Sequence, residues 1–262
     1  MIATVPASVF TADAAVVLAM RYKLTSGLAA IRADLVTMGT TCETMLHEAM
    51  DALVLPDNAR ETARLAEVVL HADDELDRIE QTVEERTVRL LTAQQPLLAG
   101  DLRLVSSALK TVTDLERIGD LCVNIARTAQ RMAFEGAYYQ PDVDMPRLGR
   151  VAALMLHDTV TAFVRRDLDL ARQVIEADDE ADVLYTEIRR DLNERMLTGL
   201  PGPPVVRASH LLFVGHYLER IGDRCVNIAE RVIYTETGIG PRQRNEIKET
   251  PEADASEGSQ IG

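Results

Sequence analysis

Tryptophan is absent from this 262-residue chain, and aromatic residues make up only 4% of it. Runs in which β-branched or aromatic residues alternate with polar ones are missing too, which excludes a protein built mainly from amphipathic strands. Aliphatic and charged residues predominate instead, with Ala, Leu, Val, Asp, Glu and Arg the commonest. This composition is typical of helices that pack through aliphatic side chains. We therefore expect an all-α fold.

Cysteine is scarce as well, and its spacing excludes two classes of site. Cys42, Cys122 and Cys225 are too few and too scattered for a disulfide framework, and no CxxC metal-binding motif occurs. We expect Cys122 and Cys225 to be small core residues in a reducing cytosol.

Basic residues are outnumbered, 28 against 42 acidic ones, which gives a net charge of −14. Such a chain repels phosphate backbones and anionic lipids, so we expect no nucleic-acid partner. No apolar run reaches the roughly 18–20 residues of a membrane-spanning helix, so direct membrane insertion is not expected. The apolar stretch within residues 1–19 has no preceding Lys or Arg, which argues against a secretory signal. We expect a cytoplasmic protein.

Prolines, glycines and polar clusters divide the chain into six helical segments, in two sets of three. The predicted helices cover about 24–55, 59–93, 101–134, 147–166, 167–198 and 205–236, with Asp101 as a predicted N-cap. Residues 20–135 then form a first bundle, 136–146 a linker and 147–239 a second bundle. Residues 1–19 are expected to be an extension outside the core, with translation starting at Met20. Residues 240–262 are expected to be a disordered tail.

The two sets of helices are internal repeats. Residues 115–126 read LERIGDLCVNIA and residues 218–229 read LERIGDRCVNIA, so eleven of twelve positions agree at an offset of 103. Upstream, DDELD at 73–77 corresponds to DDEAD at 178–182, at an offset of 105. Such self-similarity, with short loops between helices, predicts two tandem three-helix bundles related by duplication.

Acidic pairs four residues apart recur on two helices of each repeat. At about 100° per residue they border the apolar stripe of their helices, and Glu80 and Glu84 extend the line in the first repeat. The same geometry assigns Asp114, with Lys110 and Arg117, to the solvent side of the third helix. The repeated pairs are Asp73 with Asp77, Glu116 with Asp120, Asp178 with Asp182, and Glu219 with Asp223.

Like charges at this spacing destabilise a helix, and partial burial adds to the cost. Protonation, arginine or a metal ion could compensate, and an all-oxygen donor set suits Mg²⁺, Mn²⁺ or iron, with Zn²⁺ as a further candidate. The eight acidic residues are therefore candidate metal ligands. The alternative is that they pair with Arg103, Arg117 and Arg127 and their counterparts, or face water. Gly119 and Gly222 face the core at equivalent positions, which predicts close helix contact, with a bound ion beside each glycine as the alternative.

The ERIGD motif followed by a small residue and Asn-Ile-Ala, once per repeat, resembles the PhoU family of phosphate-signalling proteins. The segment from Gln95-Pro96 to Asp101-Leu102-Arg103 is similar too, and the resemblance covers about 20–238. It implies two tandem bundles and a homodimeric cytoplasmic regulator that restrains phosphate uptake and the phosphate-starvation response. It also implies contacts with a sensor histidine kinase and with the ATPase subunit of the phosphate transporter, and metal bound at the acidic motifs.

Two other functions stay open. A ferritin-like di-metal enzyme needs Glu-x-x-His on two helices, whereas this chain has only the reversed order His216-x-x-Glu219. No P-loop, nucleophile elbow or dinucleotide motif occurs, so we do not expect an enzyme. A metal-free helical scaffold is the remaining alternative.

Overall fold

The computed structural model describes residues 7–55, 58–93, 98–139, 143–197 and 203–240. Within these ranges the chain is helical with no strand, which confirms the predicted fold class. None of the described helices is long and apolar enough to cross a membrane. The helices are α1 (Ala7–Val54), α2 (Ala59–Ala93), α3 (Ala99–Phe134), α4 (Met145–Arg165), α5 (Leu168–Leu197) and α6 (Pro203–Thr237).

The helix ends agree with the sequence to different degrees. Helix α2 matches the prediction at both ends, whereas α1 begins well before the predicted position near Leu24. The predicted cap at Asp101 is wrong, because α3 begins earlier and Leu98 takes the N-cap position without a side-chain hydrogen bond. Asp101 lies in the first turn instead, where its negative charge still interacts favourably with the helix dipole. The predicted disordered tail falls almost wholly outside the described residues.

The turn between α4 and α5 is short and well capped. Arg166 ends α4 in the left-handed region with φ of 56°, and its backbone N–H donates to the carbonyl of Ala162. The carboxylate of Asp167 then accepts hydrogen bonds from the backbone N–H groups of Asp169 and Leu170, at 3.1 and 3.0 Å. This arrangement is a side-chain N-cap of α5. It holds the turn in one conformation, and Arg166 lies directly before it.

Each set of three helices forms a packed unit, as the repeat predicts. Helices α1, α2 and α3 contact one another, and so do α4, α5 and α6. The three cysteines are buried and free, which confirms the core positions expected for Cys122 and Cys225. The proposed domain limits at residues 19, 135, 146 and 239 stay predictions.

The two units also pack against each other, which the sequence did not indicate. Helix α3 contacts α6 about as extensively as it contacts α2, and α1 contacts α4. Buried apolar side chains therefore form one continuous core across both units. As a consequence, α3 and α6 are packed on two sides and have little surface left for solvent.

Asp114 lies in this interface, where the sequence had assigned it to solvent. Its side chain is only 5% exposed. Arg224 Nη1 lies 3.3 Å from its Oδ1, and Arg231 donates to its Oδ2. Arg231 also donates to the backbone carbonyl of Lys110 at 3.1 Å. The expectation failed because it allowed α3 one buried face, whereas α6 covers the second.

Replacing Asp114 by Asn should weaken the fold. The two partly buried guanidinium groups would lose their counter-charge, and we expect the free energy of unfolding to fall by about 2–3 kcal/mol. Urea unfolding followed by circular dichroism measures it. Asp74→Asn, an exposed change on α2, is the control and should stay within about 0.5 kcal/mol of wild type. Equal stability of the two variants would contradict the structural role of Asp114.

Candidate acidic metal sites

The structure brings the predicted acidic residues together in two groups. The first acidic cluster comes from α2 and α3 and the second from α5 and α6, and within each group the carboxylates act electrostatically on one another. The first acidic cluster is Asp73, Asp77, Glu116 and Asp120; the second acidic cluster is Asp178, Asp182, Glu219 and Asp223.

In each acidic pair the residue nearer the N-terminus is partly buried and the other is exposed. Burial, then the charges of Asp120 and Asp77, raise the pKa of Asp73 to about 6. Burial, then Asp120 and Glu80, raise the pKa of Glu116 to about 7. The inner carboxylates are therefore held at a core edge that disfavours their ionised forms.

The second acidic cluster repeats this division. Burial, followed by the charges of Asp182 and Asp223, raises the pKa of Asp178 to about 6. Burial also raises the pKa of Glu219, and the negative charge of Asp223 raises it further. Glu219 Oε2 is buried and accepts no hydrogen bond, although His216 Nδ1 lies 3.3 Å away. This oxygen is a buried acceptor without a properly directed donor.

Arginine does not neutralise these groups. Within the described part of the chain, no Lys or Arg nitrogen lies within ion-pair distance of any of the eight acidic residues. Arg127 lowers the pKa of Asp73 only as the last of several influences, and Arg103 donates instead to the backbone carbonyl of Thr235 at 3.4 Å. The alternative in which arginines pair with the acidic residues is thus not the arrangement observed.

Gly119 and Gly222 let the helices approach at the acidic clusters. A Cβ atom at Gly119 would overlap Leu76 and lie 3.4 Å from Asp73 Oδ1. At Gly222 it would lie 3.0 Å from Asp178 Oδ1. The predicted close contact is confirmed, and in both units the missing side chain leaves room for the inner aspartate.

The surroundings of the two clusters differ. Glu80 and Thr113 border the first acidic cluster, with their side-chain oxygens 3.5 Å apart. The equivalent positions beside the second cluster hold Tyr185 and His216, whose rings lie 6.3 Å apart. The first acidic cluster therefore has an additional carboxylate, whereas the second has an aromatic and an imidazole group.

The chemistry of these residues suits a hard cation. Carboxylate oxygens are the ligands that Mg²⁺ and Mn²⁺ prefer, and a bound cation would offset the repulsion among the inner carboxylates. In the ranges that the structure describes, however, no three His, Cys, Asp or Glu side chains are arranged to hold a metal ion. The donor set fits a metal by its chemistry, but the side chains of the described residues are not arranged to coordinate one.

Comparison with known proteins gives the family. The family model named PhoU domain matches this chain twice, at residues 35–129 and 145–232. The chain belongs to the PhoU family. The two matches fall on the two helical units, so each unit is one PhoU domain.

Relatives of PhoU type cover most of this chain. The phosphate-specific transport system accessory protein PhoU of Escherichia coli K12 is 37% identical over 79% of this chain and 82% of its own length. A PhoU homologue of Clostridium acetobutylicum is 36% identical over 81% of this chain and 94% of its own. The crystal structure of PhoU from Pseudomonas aeruginosa has a TM-score of 0.75 at 34% identity, covering 82% of this chain and 99% of that one.

Removing an inner carboxylate of this PhoU protein should flatten its pH dependence. Groups whose pKa is raised by folding favour the folded state at low pH, and this contribution is lost as pH rises through the folded pKa. Metal-free protein should therefore lose stability between about pH 4 and pH 7, because folding raises the pKa of Asp73 and Asp178 from 3.8 to about 6 and that of Glu116 from 4.5 to about 7. Glu116→Gln should reduce that loss.

Urea unfolding at several pH values measures this effect. The control Glu75→Gln changes an exposed acid on the same helix as Asp73, so its pH profile should follow the wild type. A Glu116→Gln profile parallel to wild type would show that Glu116 is not strained in the folded state.

Proposed function

We propose that this chain is an accessory regulator of a phosphate-specific transport system and restrains phosphate uptake and the phosphate-starvation response. Family membership supports this proposal, because the chain has two PhoU domains and its relatives are named as accessory proteins of such a system. The single observation that carries it is the duplicated PhoU domain, because each copy presents the same acidic motif on the same pair of helices. On this proposal the protein works by protein–protein contact and not as an enzyme.

The proposed partners are a phosphate-responsive sensor histidine kinase and the ATPase subunit of the phosphate transporter. On this proposal the chain binds them as a homodimer in the cytoplasm. A strongly acidic surface favours basic partner surfaces and fast, salt-dependent association. The net charge of −14 supports such a mode of contact. We therefore expect these complexes to weaken as ionic strength rises.

We further propose that Mg²⁺, Mn²⁺, iron or Zn²⁺ binds at the acidic clusters. The inner carboxylates with raised pKa, the buried Oε2 of Glu219 and the space beside Gly119 and Gly222 support it. Asp77 and Asp120 would turn inward to complete the first site. The additional carboxylate of Glu80 makes the first site the tighter one.

A metal-free helical scaffold is the second candidate. The observation in its favour is that, across the described ranges, no ready-made set of three metal ligands exists. On this alternative the acidic clusters are docking surfaces. A di-metal enzyme is disfavoured because neither His216 nor any other histidine follows a glutamate at the spacing that such sites use.

Deletion of the gene should switch on phosphate-starvation genes in phosphate-rich medium. A starvation-promoter reporter and labelled phosphate uptake measure this effect in deletion strains, including one that also lacks any second homologue. Wild-type protein should restore repression. A reporter and an uptake rate that stay unchanged in the double deletion would contradict the regulatory role.

Metal should stabilise the purified protein, and the two clusters should differ in affinity. Binding to the folded state at about 100 times the dissociation constant adds about 2.7 kcal/mol. Changing Glu116 and Asp120 to Gln and Asn should remove the tighter Mn²⁺ site in calorimetric titration. The matched change of Glu219 and Asp223 should remove the weaker one.

The metal-free alternative predicts a different set of curves. The melting temperature of the wild type would then not change with added Mn²⁺ or chelator, in protein shown to be metal-free by elemental analysis. The two double variants would also titrate alike. That result would leave the acidic clusters as docking surfaces.

A further inference from the structure

A small cavity lies at the junction of the two units, away from both acidic clusters. Its walls come from α1, α3, α4 and α6, and three arginines line it: Arg32, Arg166 and Arg231. The enclosed cavity volume is about 10 Å³, and it is about 280 Å³ when the solvent-open mouth is included. The cavity is thus small and partly open to solvent.

Positive charge at this junction exceeds the negative charge available to balance it. Arg231 shares the carboxylate of Asp114 with Arg224, and Arg166 Nε lies 3.5 Å from Glu236 Oε1. Arg32 forms no ion pair within the described residues. Among these described residues, four guanidinium groups are therefore balanced by two carboxylates, in a protein whose overall charge is strongly negative.

Burial lowers the pKa of Arg32, and the charge of Arg166 lowers it further. A half-buried guanidinium beside a second one is unfavourable unless an anion accompanies them. Glu236 supplies one carboxylate, and it is the only acidic side chain among the described residues that line the cavity. Arg32 and Arg166 thus compete for one counter-charge.

Hydroxyl groups line the inner wall. Thr111 is 2% exposed, and its Oγ1 is buried with no hydrogen-bond partner. Nearby, Thr235 Oγ1 donates to the backbone carbonyl of Arg231 at 2.7 Å and lies 2.9 Å from Ser107 Oγ, whose hydroxyl can donate to it. A buried hydroxyl with an unused donor is costly unless a bound group accepts from it. Thr111 therefore provides an oxygen-directed donor at the wall of an arginine-lined pocket.

We propose that this junction binds a tetrahedral oxyanion of the phosphate class. The Arg32 and Arg166 guanidinium groups would hold two of its oxygens, since guanidinium forks match such anions. Thr111 would donate to a third oxygen, with Arg231 contributing positive charge. The enclosed space is too small for the whole anion, so the Glu236 side chain would swing away from Arg166 and open the mouth.

Such a site would respond to an anion by tightening the contact between the units. Arg32 belongs to the first unit, and Arg166 belongs to the second. An anion held between them ties α1 to α4 and α6. The proposal requires only these junction residues, so it stands whether or not metal binds at the acidic clusters.

Calorimetric titration of the full-length, metal-free protein with inorganic phosphate at constant ionic strength tests the site. Arg32→Gln should weaken binding by roughly tenfold to a hundredfold, because a charge-assisted hydrogen bond is lost. Arg166→Asn should have a similar effect, and asparagine tolerates the left-handed backbone at this position. Arg89→Gln is the matched control, since Arg89 is exposed on α2 and forms an ion pair with Glu85, away from the junction; it should bind like wild type.

Glu236→Gln gives a result that misfolding cannot imitate. Removing the internal competitor should tighten phosphate binding, whereas a damaged fold would weaken it. Parallel titrations with ADP separate a nucleotide phosphate from free phosphate, and tight binding of either one supports the site. The proposal is overturned if wild type binds neither at millimolar concentration, or if Arg32→Gln and Arg89→Gln bind alike.

Discussion

The carboxylate of Asp114, held by Arg224 and Arg231, decides how the two PhoU domains sit against each other. A buried charge is tolerated only with its counter-charges at short distance, and the arginine side chains reach Asp114 in one register of α6 along α3. Close packing of the apolar side chains of α3 and α6 supports the same register. The ion pairs and this packing together orient both acidic clusters relative to the junction.

Charge is sorted in this molecule by position along α3 and α6. Where these helices contact α2 and α5, carboxylates collect without arginine partners, and their pKa values rise. Where α3 and α6 contact each other, arginines outnumber carboxylates. The same two helices therefore present uncompensated negative charge on one side and excess positive charge on the other.

Much of this arrangement could be predicted from the sequence, because repeats and helical periodicity are local signals. The six helices, the buried cysteines and the close approach at Gly119 and Gly222 all follow from spacing along one helix. The burial of Asp114 does not, because periodicity cannot tell which second surface covers a helix. The sequence did contain a signal. At the one mismatch in the twelve-residue repeat, the second copy has Arg224 at the position equivalent to the buried Leu121 of the first copy. Duplicated helices diverge where their neighbours differ.

The same reasoning explains why the two acidic clusters cannot be equivalent, although their motifs are. In the first unit, Glu80 and Glu84 continue the line of carboxylates on α2. At the equivalent positions the second unit has Tyr185 and Arg189, and the guanidinium group lies 5.6 Å from the tyrosine ring. Arg189 lies about two helical turns beyond Asp182, and a positive charge near a proposed cation site opposes cation binding. The duplicated motif thus accommodates the same close helix packing in both units, while the surrounding residues give the first cluster the more negative surroundings, so that on the proposed metal binding it would be the tighter site.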